Sequence, residues 1–131
     1  MKDSNPVNAI DTAVRGYQQN RSSTQSERRT EYDVVAQITH RLRDTAQKAR
    51  EDYPGYVAAL TDNRRLWQIF AVDVLDKENA LPPELKARIF YLAEFTEAHT
   101  KKILREKQSV LPLLEVNMAI LRGLKSESTA R

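Results

Sequence analysis

Asp62-Asn63-Arg64-Arg65-Leu66-Trp67 sets the chain's single tryptophan four residues after an asparagine, and on a helix that spacing puts both side chains on one face. Burying an amide without a partner costs about 1 to 3 kcal/mol, so Asn63 demands a hydrogen bond. Val110-Leu111-Pro112-Leu113-Leu114-Glu115-Val116-Asn117, running on to Gly123-Leu124, repeats the pattern, with Asn117 between Leu113 and Ile120. The two amides are expected to bond across the molecule and fix how their helices meet. Trp67 then reads as a core anchor before a direct contact, since large aromatics dominate small cores.

Outward from these segments the apolar residues keep helical spacing. Asn5-Pro6 suits an N-cap followed by proline in a first turn, opening a short arm whose apolar face is Val7, Ile10, Val14 and Tyr17. A polar tether, residues 18–26, follows. Thr24 with Glu27, or Ser26, caps a second predicted helix running to about Glu51 along Tyr32, Val35, Ile38, Leu42, Ala46 and Ala49. Asp52-Tyr53-Pro54-Gly55 is expected to break it. The third predicted helix, about Tyr56 to Leu75, carries Leu60, Asn63, Trp67, Phe70 and Val74. Pro83-Glu84 opens a fourth with a wide apolar surface, and Ser109 caps a fifth that Gly123 is expected to stop. Breaks of a few residues imply antiparallel neighbours. The expected fold is all-α: an antiparallel bundle of four main helices with a tethered N-terminal amphipathic helix, divided into arm and linker (1–25), bundle (26–125) and a disordered tail (126–131).

At 131 residues the chain holds one domain. It has 40% apolar and 30% charged residues, only 3 glycines, and no cysteine, so disulfides, thiolate metal sites and cysteine nucleophiles are excluded. The start, Met1-Lys2-Asp3-Ser4-Asn5-Pro6, lacks the apolar core of a signal peptide. Runs such as Ile69-Phe70-Ala71-Val72 fall far short of the roughly 20 residues that cross a bilayer. A cytoplasmic protein without a membrane span is expected. The net charge of +3 is small for a dedicated nucleic-acid binder. His40 and His99 stand on different predicted helices, His40 expected as a surface contact of Asp44 and His99 as a satisfied boundary residue. With no phosphate loop, nucleophile elbow or metal-binding helix, no catalytic residue, cofactor or metal is expected, and the chain reads as a non-enzyme.

Glu31-Tyr32, Leu60-Thr61-Asp62-Asn63-Arg64-Arg65-Leu66-Trp67, Asp76-Lys77-Glu78-Asn79-Ala80-Leu81-Pro82-Pro83-Glu84-Leu85 and Pro112-Leu113-Leu114-Glu115-Val116-Asn117 with Gly123-Leu124 occur in the order and spacing of one family. In these segments the chain resembles the FlaF family of flagellar biosynthesis proteins. The resemblance implies a small helical cytoplasmic factor needed for flagellin production or export, acting with, and often opposite to, the FlbT regulator of flagellin messenger RNA. Flagellin before export has amphipathic terminal segments that cannot bury their apolar faces alone, and a helical groove could sequester them. The first expectation is therefore a flagellin secretion chaperone. Asn63, Arg64, Arg65, Trp67, Leu113, Leu114 and Asn117 are expected to line or support its groove, with the arm residues Val7, Ile10, Val14 and Tyr17 either anchoring on the bundle or occupying the partner's place. The second is a post-transcriptional regulator of flagellin synthesis acting through FlbT or flagellin mRNA; the charge balance disfavours direct RNA contact. The flagellin segment bound and the oligomeric state stay open.

Overall fold

The computed structural model describes the backbone of residues 25–129 and the side chains of residues 29–124. The arm expected at Val7, Ile10, Val14 and Tyr17 lies outside the described residues. Four helices account for the described chain: α1 Gln25–Gln47, α2 Tyr53–Leu75, α3 Pro83–Glu106 and α4 Leu111–Thr129. The protein is all-α, with no strand among the described residues.

Local chemistry sets the helix ends, and it moves two expected boundaries. α1 stops at Gln47 rather than near Glu51, because the chain tightens there: Lys48 N–H donates to Thr45 O at 3.1 Å and Glu51 N–H to Lys48 O at 3.0 Å. Asp52-Tyr53-Pro54-Gly55 is the start of α2 rather than a break between helices. Asp52, with a non-helical φ of −146°, caps the helix by accepting the Gly55 N–H at 3.1 Å. Pro54 occupies the first turn, where a missing N–H costs nothing. Gly55 has no Cβ to crowd the Asp52 carboxylate that approaches it. α2 leads into a turn pinned by Asn79, whose amide N–H groups reach Asp73 O and Asp73 Oδ2 at 3.1 Å each, and whose Oδ1 accepts the Leu81 N–H at 2.9 Å. That turn is why Asn79 is buried.

α3 begins at Pro83 and ends at Lys107, which takes the left-handed conformation with φ of 56° and donates its N–H to Ile103 O at 3.0 Å. Ser109 Oγ accepts the Leu111 N–H at 3.0 Å and so opens α4. The expected stop at Gly123 is corrected: α4 runs through it to Thr129. A glycine ends a helix by adopting positive φ, and no described glycine does. Residues 126–129, expected in the tail, continue α4.

Two apolar clusters give the helix directions. One joins Val34, Val35 and Ile38 of α1, Leu66 and Trp67 of α2, Ala93 of α3 and Leu121 of α4. The other joins Leu42, Tyr56, Ala59, Leu60, Ile103 and Leu113. Going from the first to the second, residue numbers rise in α1 and α3 and fall in α2 and α4. Neighbours therefore run antiparallel. α2 packs along α1 and α3, and α4 packs along α1, but α3 meets α4 only over a short seam. No helix among the described residues is long and apolar enough to cross a membrane.

At Gly123, space is open where a Cβ would stand. Glycine inside an exposed helix is worse than alanine by about 0.8–1 kcal/mol, so Gly123→Ala should raise the midpoint of thermal unfolding, read by circular dichroism, by a few degrees.

Candidate functional site

Asn117 lies at the centre of the molecule with nothing of it exposed to solvent. Its Oδ1 accepts the indole N–H of Trp67 at 2.9 Å. Its Nδ2 donates to Asn63 Oδ1 at 2.7 Å and to Thr39 Oγ1 at 3.0 Å. Thr39 in turn donates to Val35 O at 2.7 Å. An indole can only donate, so the Asn117 amide has one permitted orientation, which obliges Asn63 to present its oxygen. The expected bond between the two asparagines is therefore present, and it spans α2 and α4, whose backbones do not approach each other. Trp67 also meets Phe70 edge to face, with centroids 5.2 Å apart. Among the described residues, two buried polar atoms, Asn63 Nδ2 and Thr96 Oγ1, have no hydrogen-bond partner.

Each remaining pair of neighbours has its own fastening. Arg41 pairs with Asp62 between α1 and α2. Arg64 grips Glu97 of α3 with both ends of its guanidinium, Nε reaching Oε1 at 2.7 Å. That bidentate hydrogen bond, outweighing partial burial, holds the Glu97 carboxyl below its ordinary range and raises the Arg64 guanidinium. Between α3 and α4, His99 Nε2 donates to Ser109 O at 2.7 Å while its ring stacks on Phe95, close to the connecting turn. His40 lies 3.1 Å from Asp44, as its spacing suggested.

The structure brings Asn63, Trp67 and Asn117 together but buries them, along with Leu113, too deeply for a partner to reach while the fold is intact. Arg64 is engaged by Glu97, whereas Arg65 is exposed. Leu114 is half-buried against the second cluster. These residues support a surface more than they form one. Thr39 and the pairing of Glu97 with Arg64 escaped the sequence reading. The signal for Thr39 was its place on the stripe between Val35 and Leu42; for Glu97 there was none, because it pairs across helices.

Two concave regions stand out among the described residues. One, about 660 Å³, follows α2 and α3 past Arg64, Glu94, Glu97, Lys101, Lys102 and Arg105, over a floor that includes Trp67 and Phe90. The other, about 300 Å³, lies where α3 and α4 part, opposite their seam. Leu85, Ile89 and Leu92 of α3 face Ile120, Gly123 and Leu124 of α4, with Phe70 and Val74 of α2 behind; Glu31, Asp73 and Arg88 also border it. The first is rimmed by charge and the second is dominated by apolar side chains.

Asn117→Leu keeps the volume but orphans the Trp67 N–H and the Asn63 oxygen, and should lose about 2–4 kcal/mol in denaturant unfolding at about 1–2 for each orphan. Thr96→Val removes a hydroxyl that has no partner and should leave stability unchanged or raise it. Because the Glu97 carboxyl is lowered, its contribution is present above the ordinary carboxylate pKa and is lost as pH falls through the folded value. The pair is over a third exposed on the arginine side, so Glu97→Gln should cost no more than about 1 kcal/mol at pH 7. That difference from wild type should vanish in unfolding measurements taken well below pH 4.5, the ordinary value.

No curated protein and no solved structure matches the chain. The model of one family, flagellar protein FlaF, matches residues 13–124. That match takes in the amide network and both walls of the apolar groove, and it covers far more than half of the 131 residues: the chain belongs to the FlaF family of flagellar proteins.

Proposed function

We propose that this FlaF-family protein is a cytoplasmic flagellin-binding factor, a secretion chaperone that keeps flagellin competent for export and so promotes flagellin production and filament assembly. It acts by binding alone, without catalysis. The observation that carries this reading is the apolar groove between the parted ends of α3 and α4. An amphipathic helix lays its apolar face into such a groove, reading it with anchors three to four residues apart. Flagellin before assembly has terminal segments of that kind. The groove walls are about two turns of α3 facing a stretch of α4, so they match a docked helix better than a compact cofactor.

A second reading, control of flagellin synthesis through FlbT, draws on a different surface. Val72 and Leu75 on the outer side of α2 are each 67% exposed and are not among the groove-lining residues. They offer an apolar contact to a second protein while the groove is occupied.

Gly123→Leu separates these readings because it fills the groove from a position with open space beside it, leaving the fold in place. Co-purification of flagellin with the Gly123→Leu protein should fall at least about tenfold, the equivalent of 1.4 kcal/mol, with an unchanged helical signal. Flagellin bound equally by both proteins would sink the groove reading. Loss of FlbT binding on Leu75→Asp, with flagellin binding kept, would favour the second surface as the regulator's.

A further inference from the structure

We propose that the chain's own N-terminal arm, with Val7, Ile10, Val14 and Tyr17 as its apolar face, occupies the groove between α3 and α4 and is displaced by the partner. The arm's place in the chain makes it the nearest candidate. α1 begins at Gln25, and Glu31, two turns further on, borders the groove. The N-terminal end of α1 therefore sits at the groove's end of the molecule. The seven residues 18–24 span up to about 25 Å when extended, whereas the distance from Gln25 to Glu31 along the helix is about 9 Å. The arm reaches the groove without strain.

The chemistry also matches. Val7, Ile10, Val14 and Tyr17 are spaced by three, four and three residues, the anchor pattern that a groove reads. A helix of this length gains little stability alone, and the apolar walls of Ile89, Leu92, Ile120 and Leu124 are only half-buried by the described chain. Each surface lacks what the other supplies. Asp11, on the flank of the arm, is the counter-charge of Arg88 on the α3 wall. A short tether raises the arm's effective concentration to the millimolar range, enough for weak contacts to close an empty groove yet yield to a longer flagellin helix.

The chain's lack of cysteine allows a direct test in the full-length protein. Val14→Cys combined with Ile89→Cys, treated with a short bismaleimide, should give a cross-link within one chain. Val14→Cys with Arg65→Cys, on the exposed side of α2, should not. Equal cross-linking of both pairs, no cross-link, or a cross-link only between two chains would overturn the proposal, the last by assigning the groove to a second copy. The competitive role rests on the groove being the flagellin site, and a second measurement separates the two ideas. If the arm fills the groove nine-tenths of the time, Val14→Asp should raise apparent flagellin affinity about tenfold. An unchanged or weaker affinity would overturn the competition. Wild-type protein that binds no flagellin but gives the intrachain cross-link would remove the functional reading and leave the arm in its groove.

Discussion

A single side-chain amide, that of Asn117, governs how the helices meet. It sits where α2 and α4 face each other across the core without backbone contact, and it joins Trp67, Asn63 and Thr39 from two other helices. A buried polar network is worth holding only when its groups are paired, because the low dielectric that strengthens each bond also raises the cost of losing one. Sliding α4 by one turn would break three hydrogen bonds at once, whereas an apolar stripe would tolerate the shift with modest repacking. The network therefore specifies register, and the two apolar clusters above and below it supply most of the burial.

Register in turn shapes the groove. α4 is committed to α1 and α2 by Asn117, and α3 is committed to α2 by Arg64 and Glu97. Among the described residues, nothing comparable ties α3 to α4 beyond the turn where His99 meets Ser109. Two helices placed independently, each against a third, need not close on one another. The apolar gap they leave follows from the fastenings elsewhere, which is how deeply buried residues come to shape an open groove.

Much of this was legible in the sequence because it rests on local periodicity. The helical stripes, the proline at the start of α3 and the demand of two amides for partners follow from spacing and polarity alone. The misread features depend on what lies nearby in space. Pro54-Gly55 looks like a break until Asp52 is seen capping through it, and Gly123 looks like a stop because the free space beside it cannot be read from a string of letters. The partner of Arg64 cannot be read locally because Glu97 is thirty-three residues away. The groove was hidden for the same reason, since its walls come from separate helices. Asn79 lies in a segment that resembles the FlaF family, and the structure gives it a physical role: it closes the turn between α2 and α3 with three hydrogen bonds.

The short seam between α3 and α4 has a mechanical consequence. A ring of helices sealed on three sides and lightly joined on the fourth behaves like a split cylinder, compliant in one direction and stiff in the others. Outward movement of α3 there opens the slit without disturbing the Asn117 bonds, and local opening of this sort costs less than global unfolding. The slit's width is thus free to change while the central register stays fixed.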